Sequence, residues 1–331
     1  MLKSFAKSHI GQRKNNEDNF LVDEEMGLYI VADGVGGLNK GEIASKLACD
    51  VVYDGILAGD SLKDSIYTAH RRIVNDIKAD NQKQGMATTI VAVLFNHNAY
   101  EIAWVGDSRV YLWDKKLQLI TRDDSYVELL LENGHITVDE LETHPDRNII
   151  SQALGIERKE IRIHSNFGTL EENQTLLICS DGLYTIAKET DIIQCMKKYN
   201  SVSEITENLV NKAVEKDGKD NISLVSIQLD TDQTSQNEDE VNHPIVFREY
   251  DNETGNYSVN VFSKNKYDDE VETDPELIDQ TTFTDMSQGE RELLDSAAQE
   301  QPVKSDESKY TIPLILVSII IFIGIYMFKY N

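Results

Sequence analysis

Positive charge is in short supply in this 331-residue chain, which carries 32 Lys and Arg against 58 Asp and Glu, a formal net charge of −26. No basic stripe is left to neutralise a phosphate backbone, so nucleic acid is excluded as a partner. Cysteine is nearly absent. Cys49, Cys179 and Cys195 lack the paired spacing of a metal site, and two of them sit in apolar patterns, so buried thiols without disulfides are expected. None of the seven histidines shows ligand spacing. The opening MLKSFAKSHIGQRKNNED holds no apolar stretch of signal-peptide length, so the globular part is expected in the cytoplasm. No internal repeat is visible.

Long hydrophobic runs are missing too, except at 311–328. There, 18 residues without a charge are dominated by Ile, Leu, Val and Phe. At about 1.5 Å per residue the run spans roughly 27 Å, near the lower limit for crossing a bilayer. Lys309 and Lys329 flank it, and Tyr310, Tyr326 and Tyr330 suit the interfacial aromatic belt. One C-terminal transmembrane helix over 311–328 is expected, with a short tail at 329–331, in a single-pass protein of the cell inner membrane. Residues 230–310 hold 22 acidic and 6 basic side chains with many Asn, Gln, Ser and Thr. That composition predicts an acidic, self-repelling, disordered linker. Residues 1–229 suffice for one large core, expected as a monomeric folded domain.

Within 1–229, apolar runs predict strands over 20–22, 28–32, 90–95, 99–105, 110–113, 117–120, 161–166, 176–179 and 222–228. Helical periods cover 41–57, 62–79, 126–132, 138–141, 189–197 and 202–215. Short connections within 90–120 predict an antiparallel meander, because parallel neighbours need long crossovers. With helices gathered in separate blocks, the class is α+β.

Four of the apolar runs meet an aspartate beside glycine or another small turn residue: Asp33-Gly34, Gly106-Asp107, Ser180-Asp181-Gly182 and Asp220-Asn221. Carboxylates at strand ends can converge without entering the core, and clustered anions repel unless they share cations. Hard divalent ions suit such an all-oxygen site. One junction alone is an ordinary Asp-Gly turn. Four of them, with an Arg-Asn-Glu-Asp cluster near the N-terminus, point to a site.

Seven motifs occur in order: Gly11-Gln12-Arg13-Lys14-Asn15-Asn16-Glu17-Asp18, DGVGG from Asp33, Gly41-Glu42-Ile43-Ala44-Ser45, Gly85-Met86-Ala87-Thr88-Thr89, Gly106-Asp107-Ser108-Arg109, Ser180-Asp181-Gly182-Leu183 and Gly218-Lys219-Asp220-Asn221. The series resembles the metal-dependent type 2C protein Ser/Thr phosphatases, the PPM family, and most closely its bacterial members, over about residues 3–229. The resemblance implies a central antiparallel β-sandwich flanked by helices (αββα), with the site at one end of the sandwich. It implies two Mn²⁺ or Mg²⁺ ions bridged by Asp33. Asp181 and Asp220 would complete the first, the Gly34 carbonyl would bind the second, and Glu17 and Asp18 would act mostly through bound waters. Bacterial relatives often bind a third ion, for which Asp107 with Asp181 would be the ligands. Arg13 would grip the substrate phosphate. The substrates would be phosphoserine and phosphothreonine proteins, in opposition to a Ser/Thr kinase.

The chemistry agrees with that assignment. Phosphate-monoester hydrolysis is extremely slow unaided, and two ions about 3.5–4 Å apart acidify water and offset charge on the attacking and leaving oxygens. The planar fork of Arg13 suits two phosphate oxygens, and Gly34 and Gly182 would let the backbone approach the ions. Arg109 reads as a structural ion pair rather than a substrate contact. Three departures stand out: Val35 where some eukaryotic relatives carry a histidine, Lys219 where proline is usual, and Ala87 where glycine is usual. Residues 126–154 resemble the flap of bacterial members. The alternative of a different class is an inactive membrane-tethered phospho-binding or scaffold module of the same fold.

Overall fold

Every residue from Leu28 to Ala32 is apolar and fully buried, because both faces of this strand are covered. Tyr29 and Val31 face one cluster, and Leu28, Ile30 and Ala32 face another. The alternation of a one-sided strand is therefore absent. The computed structural model describes residues 2–35, 40–141, 143–156, 161–229, 245–250 and 257–262. Its strands are β1 (Leu2–His9), β2 (Asp18–Asp23), β3 (Leu28–Val35), β4 (Ala87–Thr88), β5 (Ile90–Asn96), β6 (Ala99–Val105), β7 (Arg109–Asp114), β8 (Lys116–Leu119), β9 (His164–Thr169), β10 (Thr175–Cys179), β11 (Ile222–Leu229), β12 (Ile245–Tyr250) and β13 (Tyr257–Phe262). They form two antiparallel sheets, β1-β11-β10-β7-β8-β12-β13 and β2-β3-β5-β6-β9, with β4 paired to β3.

Three apolar layers hold the sheets and helices together. Between the sheets lie Tyr29, Val91, Ile102 and Trp104 from one side and Val110, Leu176, Ile178 and Val225 from the other. α1 (Lys40–Ala58) and α2 (Leu62–Ala79) cover the outer face of the second sheet. Ile66 and Ile73 of α2 are fully buried there, each contributing about 2 kcal/mol. α2 starts where Ser61 accepts from the Asp64 N–H (3.1 Å), a cap worth about 1 kcal/mol. The flap-like insert contributes α3 (Tyr126–Glu132) and α4 (Val138–Leu141), and α5 (Asp181–Tyr184) is a single turn after β10. α6 (Glu189–Lys198) and α7 (Val202–Lys216) cover the first sheet. The αββα order matches the α+β expectation, and all three cysteines are free and buried.

Five readings of the sequence need correction or limits. The stretch 90–120 is not one meander. β5 and β6 form a hairpin in one sheet and β7 and β8 a hairpin in the other, and the chain changes sheet at Gly106-Asp107-Ser108. Gly106 makes the crossing with φ of 105°, which a side chain would strain. The strand expected at 161–166 is shifted to His164–Thr169 by its pairing with β6. β1 lies outside the predicted strands, because only Leu2 and Ala6 reach the inter-sheet core and most of its stability comes from eight residues of pairing with β11. β12 and β13 form a hairpin inside the 230–310 range expected to lack structure, and β12 pairs with β8 at Arg248↔Leu119 and Glu249↔Gln118. Backbone pairing there overrides the acidic composition of the surrounding segment. The chain divides into two units, Met1–Tyr267 and Asp268–Asn331. Among the described residues no helix is long and apolar enough to cross a membrane. The helix expected at 311–328 lies outside them.

Candidate active site

Two loops from opposite ends of the 1–229 domain are stapled together beside the sandwich. The Gln12 N–H donates to the Gly218 carbonyl (2.7 Å). Asn221 Nδ2 donates to the carbonyls of Ile10 (2.9 Å) and Asn15 (3.0 Å), and its Oδ1 accepts from the Glu17 N–H (2.8 Å). The loop carrying Arg13 is thereby held against the turn carrying Asp220, and Arg13 Nη2 lies 2.6 Å from Asp220 Oδ2. These side chains are 44% and 38% exposed, so the guanidinium can exchange Asp220 for an anion from solvent without leaving a buried charge behind.

The remaining carboxylates come from strand ends. Asp18 stands directly opposite Asp33 in the β2–β3 pairing. The Asp33 N–H donates to Thr89 Oγ1 (3.0 Å), and its carbonyl accepts from Thr88 Oγ1 (2.9 Å). Asp181 opens α5, close enough to Asp33 for its charge to raise the Asp33 carboxyl. Asp18 Oδ2 accepts from Ser180 Oγ (2.8 Å), whereas its buried Oδ1 has no partner. Asp107 occupies the crossing between sheets, where the Tyr184 hydroxyl donates to its carbonyl (3.0 Å) and lies 3.4 Å from its Oδ2. The Glu17 carboxylate packs on Gly41 in the first turn of α1, where a Cβ would meet its Cδ at 2.8 Å, a position that favours negative charge.

The electrostatics record a crowd of anions. Burial pushes the Asp33 carboxyl well above the usual range, and the charges of Asp18, Asp181, Asp107 and Asp220 push it further. Burial raises Asp18 to about 7, against hydrogen bonds from Ser223 and Ser180. Asp181 rises to about 6 through burial and then the Asp220 charge. Asp107 is held high by burial, then by Asp181 and Asp123. Burial also raises Glu17. Such mutual repulsion in a desolvated region is what a shared cation relieves.

Glycine allows the close contacts, but not as the sequence predicts for Gly182. A Cβ there would meet the Asn221 carbonyl at 1.9 Å, so its role is to seat α5 on the strand after Asp220. A Cβ on Gly34 would meet Gly41 at 2.3 Å and the Glu17 carbonyl at 2.6 Å. Gly36 and Gly37 lie outside the described residues. Among the described residues, no three His, Cys, Asp or Glu side chains are drawn to the separation one ion requires. Arg13 and Ser180 take carboxylate oxygens instead. The donor set still fits hard divalent ions: it is all oxygen, its carboxylates repel one another, and it includes a buried oxygen without a partner.

The structure thus brings Arg13, Asp18, Asp33, Asp107, Asp181 and Asp220 into one electrostatic neighbourhood, with Glu17 and Gly34 at its α1 side. Arg109 makes the ion pair expected of it. Its Nε and Nη2 donate to Asp123 at 2.8–3.2 Å. The next residue, Asp124, accepts from the Gly106 N–H (2.9 Å) and from Gln152 Nε2 (3.0 Å), and pairs with His164 Nε2 (2.9 Å). A cleft of about 170 Å³ opens beside Asp107 and Asp181 and is lined on its far side by Val138, Leu141 and Arg147 of the flap-like insert. Sequence reasoning did not assign Ser180, Thr89, Asn221, Asp123 or Tyr184 to the site. Four of them lie in or beside the quoted motifs, but nothing in their spacing says what they touch.

Residues 6–222 match the family described as protein phosphatase 2C. This chain belongs to the protein phosphatase 2C family. The family member is 33% identical over 235 residues to the serine/threonine phosphatase stp of Listeria monocytogenes, covering 67% of this chain and 93% of that protein. It is 31% identical over 233 residues to the serine/threonine protein phosphatase PstP of Mycobacterium tuberculosis, covering 68% of this chain and 44% of that protein. The solved structure of that mycobacterial phosphatase is similar at a TM-score of 0.63 and 30% identity, covering 69% of this chain and 99% of the other. A structure of the PstP catalytic domain in complex with two manganese ions is similar at a TM-score of 0.60 and 29% identity, covering 69% and 97%. The enzyme class is therefore protein serine/threonine phosphatase, on antiparallel sheets flanked by helices.

Proposed function

We propose that this phosphatase hydrolyses phosphoserine and phosphothreonine in proteins, opposing a Ser/Thr kinase, at the carboxylate cluster around Asp33. The observation that carries the reading is the convergence of carboxylates on Asp33: Asp18 stands opposite it in the strand pairing, and the charges of Asp181, Asp107 and Asp220 reach it. Asp33, Asp181 and Asp220 with the Gly34 carbonyl would hold two Mn²⁺ or Mg²⁺ ions, and Asp107 with Asp181 a third. Glu17 and Asp18 would support them through water. When bound, such ions supply a nucleophile from water at neutral pH and offset phosphoryl charge.

The chain's own residues do the rest. Arg13 releases Asp220 and places its fork on two phosphate oxygens, orienting the ester. Thr88 and Thr89 fix the Asp33 backbone, so the carboxylate is set before substrate arrives. Ser180 holds Asp18 inward. The flap-like insert walls the cleft next to Asp107 and meets the polypeptide around the phosphorylated residue.

The uncharged run at 311–328 supports a single-pass anchor in the cell membrane, with the catalytic domain on the cytoplasmic side. Phosphate release from a phosphothreonine peptide tests the reading. The full chain with Mn²⁺ is expected to turn over, chelator to stop it and fresh Mn²⁺ to restore it. A folded protein inert with Mn²⁺ and with Mg²⁺ would contradict it.

A further inference from the structure

Between the carboxylate cluster and the flap-side cleft lies a mostly buried cation, Arg109, 18% exposed where it lines the cleft. The Arg109 guanidinium carbon sits 3.7 Å from the centre of the Tyr184 ring. Its Nε and Nη2 are clamped by Asp123 at 2.8–3.2 Å, and its Nη1 donates to the Tyr111 hydroxyl (2.9 Å) and lies 3.6 Å from Glu189. All three guanidinium nitrogens and one face of the group are therefore engaged. A fixed cation over a phenol ring is a favourable contact when desolvated, and it leaves the ring no alternative position. The hydroxyl at the end of that ring donates to the Asp107 carbonyl and approaches Asp107 Oδ2.

We propose that Tyr184 is a positioning residue for Asp107: clamped from behind by Arg109 and Asp123, its hydroxyl holds the Asp107 main-chain carbonyl and so fixes the turn from which the carboxylate reaches an ion. Asp107 needs such a device because its turn crosses between the two sheets and no strand pairing holds its main chain. The outer-sphere partner of a ligand sets its direction, and its loss typically costs about 10–100-fold in ion affinity or activity. Tyr184 also lines the cleft, so the same bond ties the wall of the substrate opening to the ion site. The proposal rests on Asp107 being a ligand.

The test is a Mn²⁺ titration of the full chain, stripped with chelator beforehand, followed by electron paramagnetic resonance of free Mn²⁺. Asp107→Ala identifies which class of bound ion depends on Asp107. Tyr184→Phe keeps the ring on Arg109 and removes only the hydroxyl. It is expected to weaken that one class by about tenfold, to leave the other ions unchanged and to unfold at nearly the wild-type temperature. Wild-type affinity at the Asp107-dependent class in Tyr184→Phe would overturn the positioning role while leaving Asp107 a ligand. Equal ion binding by Asp107→Ala and wild type would overturn the ligand reading and the proposal with it. Should Tyr184→Phe not fold, Asp123→Asn is read in the same titration: selective weakening of that class supports the device, and unchanged binding overturns it.

Discussion

At the level of single side chains, Arg13 is the group whose present partner and proposed partner differ most. It pairs with Asp220 at 2.6 Å, yet both are substantially exposed, so the pair contributes little to stability. Arg13→Ala is expected to unfold within about 0.5 kcal/mol of wild type and to raise KM for a phosphothreonine peptide with a smaller change in kcat, as removal of uniform binding does. Initial-rate kinetics on the peptide check this. A variant that loses kcat with KM unchanged would place Arg13 in the transition state alone. The carboxylates were readable from sequence because each stands at a strand end beside a small residue. Their supports were not. Asn221 bonds to Ile10, Asn15 and Glu17 across more than two hundred residues. The Arg109 to Asp123 pair exists only because β7 and β8 form a hairpin that returns the chain to that side.

Among elements, the hairpin of β12 and β13 was the least readable, since its segment has the composition of a disordered acidic linker. It caps the β8 edge, which would otherwise expose unpaired N–H and C=O groups. The β12–β8 pairing spans only two residue pairs, so its contribution is about 1 kcal/mol. A chain ending after Leu229 is therefore expected to melt about 2–4 °C below one ending after Tyr267, with phosphatase activity retained in both. Identical melting temperatures would show that the hairpin adds nothing to the sheet. Six of the seven described α-helices were readable nearly to the residue, and the single turn of α5 was not. α2 spans the expected 62–79, where Ser61 marks its start and an amphipathic period with Ile66, Ala69 and Ile73 marks its buried face. The crossing at Gly106 was not, because a three-residue connection serves a hairpin and a change of sheet equally well.

For the whole molecule, the crowding of carboxylates makes stability depend on pH in an unusual direction. Asp18 rises from its ordinary 3.8 to about 7 in the folded state, chiefly through burial. Between those values the folded state binds more protons than the unfolded one, so this contribution is full at low pH and is lost as pH rises toward 7. Chelator-treated protein is expected to melt at lower temperature as pH rises from 5 to about 7.5. Asp18→Asn should flatten that slope, and Mn²⁺ should reduce it by neutralising the cluster. A slope unchanged by Asp18→Asn would show that another group governs it.

On the proposed reading, Asp33, Asp181 and Asp220, carried by three separate segments, would share ions. Anomalous scattering from crystals grown with Mn²⁺ reads that directly. Two peaks are expected within about 2.5 Å of carboxylate oxygens, with Asp33 touching both and Asp181 and Asp220 on one of them. Ordered Mn²⁺ elsewhere, with no peak beside Asp33, would contradict it.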